Sequence, residues 1–266
     1  MTNSPAAAPE NQALDITIVI TCYNEEAFIT DTIENVIGAL REVGRSYEVI
    51  VVDDVSRDNS VRKVREYMEK HPDYPITLKA NEKNRGLASN YIDSAFFGTG
   101  KYFRLCCGDD CESKEVLVKI FRHIGEADMI IPYQIQTEVV GKTATRKYLS
   151  MIFTFLVNTL SGYKLIYYNG LAIHLRYNIM RWHPSSYGFG FQADIVTRLL
   201  DEGASYLQVP SSSIDRKGSA SGALTMRNVL SVGHTLLEVA IRRLRRFLYA
   251  KDMTKPIEIK LKEDAS

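Results

Sequence analysis

Short apolar runs alternate with longer segments of helical periodicity through the first half of this chain. The run from Asp15 to Cys22 is rich in β-branched residues, which is typical of a strand buried on both faces of a parallel sheet. Between Phe28 and Leu40, apolar residues recur at helical spacing, and Gly44 ends the predicted helix. The same alternation predicts strands at 15–22, 47–52, 76–79, 102–107 and 128–133, and helices at 28–40, 61–68, 86–97 and 116–124.

This order of elements predicts the fold class. Strands and helices that alternate strictly, with short connections, form right-handed crossovers between parallel strands. We therefore expect an α/β fold in which a doubly wound, mostly parallel sheet carries helices on both faces. No repeat or low-complexity linker interrupts the pattern, so residues 15–222 are expected to form one domain.

The pattern changes after residue 134. Residues 142–160 begin with basic residues and continue into an apolar run. The segments that follow are expected to be a strand at 171–175, a helix ending at 181–182, a helix at 190–200 and a strand at 206–209.

The two ends of the chain differ in character from this domain. A long amphipathic helix is predicted at 226–249, and its second half carries Arg242, Arg243, Arg245 and Arg246. It could lie on a membrane surface, or it could form a homodimer and keep a charged outer face. Residues 223–266 are thus expected to be a helix and tail, of which 251–266 are polar and expected to fray. Residues 1–14 are expected to be a disordered leader, because they lack the apolar core of a signal peptide.

Composition narrows the classes of partner. Of the 266 residues, 45% are hydrophobic and 24% are charged, which is ordinary for a globular protein, and the formal net charge of +1 argues against a nucleic-acid partner. The longest apolar stretch, Tyr148 to Leu160, is shorter than the roughly 20 residues that span a bilayer. We therefore expect a cytoplasmic protein whose contact with the inner face of the membrane is peripheral.

Acidic residues follow two of the predicted strands. Asp53 and Asp54 come directly after the strand at 47–52, and Asp109 and Asp110 follow the strand at 102–107. Because open α/β sheets bind ligands in the crevice at the carboxyl ends of their strands, these acids indicate one site. A plain strand-to-helix turn with an Asp or Ser helix cap is the structural alternative for each pair.

Five blocks of residues at and after the strand ends form a recognisable series. In order they are Thr21-Cys22-Tyr23-Asn24-Glu25-Glu26, Asp53-Asp54-x-Ser56-x-Asp58, Asn84-Arg85-Gly86, Gly108-Asp109-Asp110 and Phe191-Gln192-Ala193-Asp194. The order and spacing over residues 15–220 resemble the inverting family 2 glycosyltransferases, which have the GT-A fold. Val209-Pro210 and Arg216-Lys217-Gly218-Ser219 are similar to the tail signature of the polyprenyl-phosphate glycosyltransferases within that family.

The resemblance implies that the chain binds a nucleotide-sugar donor. The residues implied are Thr21, Tyr23, Glu25, Asp53, Asp54, Arg85 and Gly108. Asp53 or Asp54 would accept a hydrogen bond from the donor base, and Arg85 would reach the ribose or diphosphate. A UDP-sugar is the favoured donor, because family members most often use one, and GDP-mannose remains open. Capping of the first helix is a complete alternative account for Asn24 and Glu25.

The resemblance also implies a divalent cation, Mg²⁺ or Mn²⁺. Asp109 and Asp110 would be its carboxylate ligands, since a hard cation with oxygen ligands stabilises the charge that builds on the leaving diphosphate. The family's usual Asp-x-Asp would align its first aspartate with Cys107. The geometry of the cation, or even the need for one, therefore stays open.

The acceptor side of the site is expected to combine an acid with cations. Asp194 lies where the family has its general base or acceptor-facing acid, and Asp109 is the second expected catalytic acid. Arg146, Ser150, Arg216 and Lys217 match or resemble the anchors of an acceptor phosphate. A phosphate monoester is largely ionised at pH 7 and needs no base, whereas a sugar hydroxyl does.

These patterns predict transfer of a sugar, with inversion, from a nucleotide-diphosphate donor to a polyprenyl phosphate at a membrane surface. One alternative is a glycosyltransferase that acts on a saccharide hydroxyl. Another is a nucleotide-sugar-binding protein without turnover, suggested by Cys107 in place of a metal acid.

Overall fold

The computed structural model describes residues 14–134, 144–181, 190–212, 226–249 and 255–261. The strands are β1 (Ile16–Cys22), β2 (Tyr47–Asp53), β3 (Ile76–Ala80), β4 (Tyr102–Cys107), β5 (Met129–Gln134), β6 (Ile173–Leu175), β7 (Ser205–Ser211) and β8 (Ile257–Ile259). The helices are α1 (Ile29–Glu42), α2 (Ser60–Lys70), α3 (Leu87–Phe97), α4 (Lys114–Phe121), α5 (Ala144–Ser161), α6 (Arg176–Met180), α7 (Phe191–Asp201) and α8 (Met226–Tyr249).

One sheet in the order β3-β2-β1-β4-β6-β5-β7-β8 organises the molecule. Its strands pair in parallel except that β6 runs antiparallel to both β4 and β5. The mostly parallel, doubly wound α/β sheet predicted from the sequence is therefore confirmed. The orientation of β6 could not be predicted, because the long connection through α5 can return to the sheet in either direction.

Alternate residues of the strands supply two hydrophobic cores, one on each face of the sheet. Ile18 and Ile20 of β1 pack into the core formed with α1, α2 and α4. Val19, between them, packs into the second core, formed with α3, α5, α6 and α7. Because adjacent side chains of a strand point to opposite faces, a strand buried on both faces must be apolar throughout. This explains the unbroken apolar runs of β1 and β2.

The C-terminal segment contributes to the sheet. Ile257 and Ile259 of β8 pair in parallel with Ser205 and Leu207 of β7. The expectation that residues 251–266 lack regular structure is therefore wrong for 257–259. Ile259 packs against the first core, and the intervening Glu258 accepts a hydrogen bond of 3.0 Å from Gln208. This short alternation of apolar and polar residues is enough for an edge strand once β7 is present.

Candidate active site at the strand ends

The carboxyl ends of β1, β2 and β4 lie side by side. Cys22 of β1 pairs with Asp53 of β2, and Thr21 pairs with Cys107 of β4. The connection after β4 then begins at Gly108, whose amide donates to the Thr21 carbonyl at 2.9 Å. A Cβ atom on Gly108 would meet that carbonyl oxygen at 2.8 Å, so this close approach requires glycine. The sheet thus brings the blocks after these three strands together.

Asp53 is the last residue of β2 and is 4% exposed. Its Oδ2 accepts hydrogen bonds from the amides of Val55 and Ser56, at 3.2 and 3.1 Å. Its Oδ1 is buried and has no hydrogen-bond partner among the described residues. Val55 has φ 71, a left-handed conformation that is strained for a β-branched residue. A strained turn therefore fixes a carboxylate that keeps one buried oxygen without a described partner.

Asp54 differs from its neighbour because both of its carboxylate oxygens are used. Oδ1 accepts from the Asn81 side chain and the Arg85 amide, and Oδ2 accepts from the Gly86 amide, each at 2.8 Å. Burial alone would raise the pKa of Asp54, but these hydrogen bonds hold the pKa below its ordinary value. Asp54 therefore organises the loop after β3, while Asp53 presents an available oxygen.

The loops after β1 and β2 are tied together by reciprocal hydrogen bonds. The Asn24 amide donates to Ser56 Oγ at 2.9 Å, and the Asn24 side chain accepts from the Arg57 amide at 2.8 Å. The Glu26 amide donates to Asp58 at 3.0 Å. Helix α1 begins at Ile29 without a side-chain cap, so the side chains of Asn24 and Glu25 do not cap it. The Glu25 carbonyl accepts from the amides of Phe28 and Ile29, so the capping alternative holds for the Glu25 backbone alone. The polar residues of these two blocks thus shape one wall of the site.

Glu25 lies next to the β4 turn, and its pKa is raised to about 7. Burial is the largest cause, and the charges of Asp109 and Asp58 add to it. Its backbone amide donates to Ser60 Oγ at 2.9 Å. Tyr23, two residues earlier, is 51% exposed at the rim of the site. Near neutral pH Glu25 can therefore change its charge beside Asp109.

The turn after β4 separates the two acids that were expected to bind a cation. Asp110 has φ 51; its amide donates to Thr32 Oγ1 at 3.0 Å, and its carboxylate accepts from Asn35 at 2.7 Å. These bonds hold Asp110 against α1. Asp109 has a buried Oδ1 that no described group meets with a hydrogen bond.

The donor set at this turn fits a hard cation only if the substrate completes it. Within the described ranges, no cluster of three or more His, Cys, Asp or Glu side chains could hold a metal ion. The orphaned oxygen of Asp109 suits Mg²⁺ or Mn²⁺, which are commonly held by one or two carboxylates together with substrate phosphates. Asp109 therefore keeps one buried oxygen that no described group satisfies.

Arg85 lines a cavity with Asn81, whose side chain donates to Asp54, but the acids at the ends of β2 and β4 are not among its lining residues. The cavity measures about 280 Å³ and lies between the ends of β2 and β3 and α3, with Lys79, Asn81 and Phe97 among its walls. The Arg85 guanidinium is 2.6 Å from the Asp93 carboxylate. The charge of Arg85 is thus partly compensated before any ligand enters.

Asp194 lies in the first turn of α7 and is 1% exposed. Both of its oxygens are 3.1 Å from Nε of Arg198, and Nη1 of Arg242 from α8 donates to its Oδ1. Arg242 also donates to Thr197 Oγ1 at 2.5 Å. The expected catalytic acid is therefore held in an ion-pair network between α7 and α8.

The expected anchors of the acceptor phosphate are described only in part. Arg216 and Lys217 lie outside the described residues. Arg146 and Ser150 are one turn apart on α5. For Arg146 the structure describes the backbone but not the side chain. Ser150 is buried, and its hydroxyl has no hydrogen-bond partner in the described part of the chain.

Helices α5 and α8 pack together and expose apolar side chains. On α5 the most exposed are Tyr148 and Phe155, at 66% and 67%, and on α8 they are Phe247 and Tyr249, at 82% and 80%. Arg246, like Arg242, faces inwards and lies 2.6 Å from Asp201. The charged outer face considered for α8 is therefore wrong: two of the four arginines in its second half neutralise acids of α7, and the exposed side chains of the helix are largely apolar. None of the described helices has the length and apolar character needed to cross a membrane.

Comparison with known proteins identifies relatives of this chain. The model of glycosyl transferase family 2 matches residues 17–181. A dolichol-phosphate mannosyltransferase of Pyrococcus furiosus is 29% identical over 111 residues, which are 42% of this chain and 30% of that protein. A dolichyl-phosphate beta-glucosyltransferase of Dictyostelium discoideum is 29% identical over 92 residues, 33% of this chain and 28% of the relative. The aligned segments thus span less than a third of these curated relatives.

Solved structures share the fold at low sequence identity. Glucosyl-3-phosphoglycerate synthase from Mycobacterium tuberculosis, in complex with Mn²⁺, UDP-glucose and phosphoglyceric acid, superposes with a TM-score of 0.63 at 15% identity. The match covers 92% of this chain and 87% of that one. A mannosyltransferase from Pyrobaculum calidifontis, in complex with GDP-mannose and Mn²⁺, superposes with a TM-score of 0.57 at 16% identity. This match covers 93% of this chain and 80% of the mannosyltransferase chain. The GT-A fold is therefore confirmed, and since the family model covers more than half of the sequence, this chain belongs to glycosyl transferase family 2.

Proposed function

We propose that this protein is an inverting glycosyltransferase that transfers a sugar from a nucleotide-diphosphate donor, a UDP-sugar by preference, to a polyprenyl phosphate. The observation that carries the proposal is the pair of buried carboxylate oxygens, Asp53 Oδ1 and Asp109 Oδ1, that lack partners among the described residues. Asp53 ends β2 and Asp109 follows β4, and these two strands flank β1 in the sheet. An unpaired buried acceptor is costly unless a ligand satisfies it.

The two oxygens suit the two ends of a nucleotide-sugar donor. Asp53 would accept a hydrogen bond from the N–H of the base, in a crevice that Thr21 and Tyr23 also line. Asp109 would face the diphosphate at the β4 turn, where Gly108 lets the backbone approach closely. Arg85 would reach the ribose or diphosphate from the neighbouring cavity. GDP-mannose remains the second donor, because nothing in these contacts distinguishes uracil from guanine.

Asp109 would hold a divalent cation together with the donor phosphates. When bound, that cation would act as a Lewis acid for the diphosphate leaving group. Because the described residues offer no cluster of three or more metal-binding side chains, we expect Mn²⁺ to bind weakly to the protein alone and more tightly when a nucleoside diphosphate is present.

The state of Asp194 supports an acceptor that arrives already ionised. Its carboxylate accepts from Arg198 and Arg242 and is almost fully buried. To act as a general base, the Asp194 carboxylate would have to release an arginine partner before it could accept a proton. A phosphate monoester needs no such base, since its second pKa is near 6. An oxygen of the acceptor phosphate would attack the anomeric carbon as the bond from that carbon to the donor diphosphate breaks.

A phosphate acceptor needs cationic anchors, and a lipid acceptor needs a surface. Arg146, Ser150, Arg216 and Lys217 are proposed as the anchors, because guanidinium and ammonium groups form charge-assisted hydrogen bonds with phosphate. Helix α5 has no acidic residue and α8 has only Glu238. A cationic helix pair with exposed apolar side chains suits the cytoplasmic face of an anionic membrane. Binding to phosphatidylglycerol vesicles should fall as salt rises, and no binding at low salt would remove this surface from the proposal.

A nucleotide-sugar-binding protein without turnover is the second candidate. It is favoured by Cys107, which occupies the position of the family's first metal aspartate, and by the engagement of Asp110 with Asn35. Measured turnover of any donor would exclude it.

The most direct test uses purified protein, polyprenyl phosphate in detergent, Mn²⁺ and a panel of radiolabelled nucleotide sugars. We expect one donor to deliver its label to the phase extracted by organic solvent, and only when the lipid phosphate is present. Label found solely in a water-soluble saccharide would support the hydroxyl acceptor instead. Donor binding without any transfer would support the binding protein.

A further inference from the structure

A fully buried arginine lies behind the turn that carries Asp109. Arg104 is in the middle of β4 and is 0% exposed. Its Nη2 donates to both oxygens of Glu112, at 2.7 and 2.9 Å, and its Nε donates to the Leu171 carbonyl at 3.0 Å. The guanidinium also lies 5.6 Å from the centroid of the Phe121 ring. Arg104 therefore joins β4, the turn after β4 and the segment before β6.

The contacts of Arg104 fix the far end of the Asp109 turn. The near end is fixed by the hydrogen bond from the Gly108 amide to Thr21, and the middle by the bonds of Asp110 to Thr32 and Asn35. Glu112 follows these residues, and its ion pair with Arg104 closes the turn from the other side. Asp109 thus lies between anchors on both sides.

Fold stability alone does not explain this ion pair. Removing a guanidinium and a carboxylate from water costs more than most single contacts return, and apolar residues of similar volume often replace a buried ion pair without loss of stability. Strand β4 is otherwise buried and apolar along most of its length. An apolar side chain would lack the directional, charge-assisted hydrogen bonds that Nη2 of Arg104 donates to the carboxylate of Glu112 in the turn.

We propose that Arg104 is a positioning residue: through Glu112 it fixes the turn after β4 so that Asp109 presents its unpartnered oxygen to the divalent cation that binds with the donor diphosphate. This inference rests on the proposed function, because it assigns Arg104 a part in the same site. Arg104 itself touches neither the cation nor the donor. Partners bonded directly to a metal ligand contribute roughly 10- to 100-fold to metal affinity, and because Arg104 acts through Glu112 and the turn we expect the lower end of that range.

The test separates positioning from stability through a double variant. Arg104→Met leaves Glu112 without its partner and should lower both the melting temperature and the affinity for Mn²⁺, measured by electron paramagnetic resonance at saturating UDP. Arg104→Met/Glu112→Met removes both charges and should recover most of the melting temperature. Its dissociation constant for Mn²⁺ should nevertheless stay about 10-fold above that of the wild type. A role in stability alone would restore both quantities together.

Arg176→Met is the matched control. Arg176 donates to the Gly100 and Ala95 carbonyls, at 2.8 and 3.0 Å, near the opposite end of β4. Its loss should lower the melting temperature and change the Mn²⁺ dissociation constant by less than about 2-fold. If the double variant does not fold, Glu112→Gln keeps the shape and one acceptor of the pair and should still raise the Mn²⁺ dissociation constant several-fold.

Two negative results have different meanings. If a folded double variant, or Glu112→Gln, binds Mn²⁺ as tightly as the wild type, the positioning role of Arg104 is wrong and the proposed function is untouched. If the wild type binds UDP but takes up no Mn²⁺, both the cation site at Asp109 and this inference fall.

Discussion

The proposed donor side and the proposed acceptor side of this protein hold two pairs of acids in opposite ways. On the donor side, at the ends of β1, β2 and β4, loop hydrogen bonds are satisfied while Asp53 and Asp109 each keep an oxygen without a partner among the described residues. On the acceptor side, formed by α5, α7 and α8, Asp194 and Asp201 are paired with arginines. A ligand is expected at the two acids that each keep an unsatisfied oxygen, whereas the two paired acids of α7 hold that helix against α8.

The largest effect that follows from this contrast is at the β4 turn. Asp109→Asn should lower kcat by about 10³-fold, because the stabilisation of the leaving group by a metal is worth several kcal/mol. Asp110→Asn should cost far less, since the carboxylate of Asp110 is engaged with Asn35. Steady-state kinetics with saturating donor and Mn²⁺ measure both. Equal losses in the two variants would show that Asp110 also serves the cation.

On the acceptor side, Asp194→Asn should act first on stability. It leaves Arg198 and Arg242 without their shared carboxylate, and breaking a buried ion pair from one side costs about 3–5 kcal/mol. Urea unfolding followed by circular dichroism measures this loss, with Asp53→Asn as the matched variant at the other site. An unfolding free energy for Asp194→Asn within about 1 kcal/mol of the wild type would mean that the network between α7 and α8 stabilises little.

Catalysis on the acceptor side should depend on the cationic anchor more than on the acid. A charge-assisted hydrogen bond is worth about 1.5–3 kcal/mol, so Arg146→Ala should reduce kcat/KM for the lipid phosphate by roughly 10- to 100-fold. Asp194→Asn, measured well below its melting temperature, should show a smaller loss of kcat/KM for the lipid phosphate. The reverse order, with Arg146→Ala mild and Asp194→Asn crippling, is expected for a hydroxyl acceptor, because general-base catalysis contributes about 10²- to 10⁴-fold.

The smallest expected effect is a pH-dependent change in melting temperature caused by Glu25, measured in the presence of a chelator. The pKa of Glu25 in the folded protein, about 7, exceeds its ordinary value of 4.5, so the folded state binds this proton more tightly than the unfolded state does. The resulting stabilisation is present at pH 4 and is lost as the pH rises through 7. At pH 8, the melting temperature of Glu25→Gln should therefore be roughly 2–4 °C above that of the wild type. The difference is modest because Glu25 is partly exposed. At pH 5, the two melting temperatures should be nearly equal. A difference that does not change with pH would contradict the raised pKa.

The sequence predicted which residues meet at the ends of β1, β2 and β4 better than it predicted the surroundings of Asp194, for a topological reason. Parallel strands of one sheet end at one edge, so the acids after β2 and β4 had to meet the block after β1. Which acid of the Asp53 and Asp54 pair remains available could not be predicted. That distinction depends on the loop after β3, whose amides meet Asp54 from more than 30 positions away.

The contacts missed by sequence reasoning are long-range ion pairs. Arg242 is 48 positions from Asp194, and the arginines of α8 were interpreted as surface charges because a helical pattern does not indicate which face another helix covers. Arg104 did give a signal, since it is a lone charge within an apolar strand. Its partner Glu112 lies beyond the turn, where no periodicity connects the two.

The claim that the donor binds at the unsatisfied acids is tested most directly by calorimetric titration of UDP-glucose and UDP, with Mn²⁺, into the wild type and Asp53→Asn. Asparagine keeps the size of the side chain and one oxygen for the Val55 and Ser56 amides, but it replaces the available acceptor with a donor. We predict that the wild type binds and that the variant, with a melting temperature close to the wild type, binds at least about 10-fold more weakly. Equal affinities in the two proteins would contradict the donor site at the end of β2.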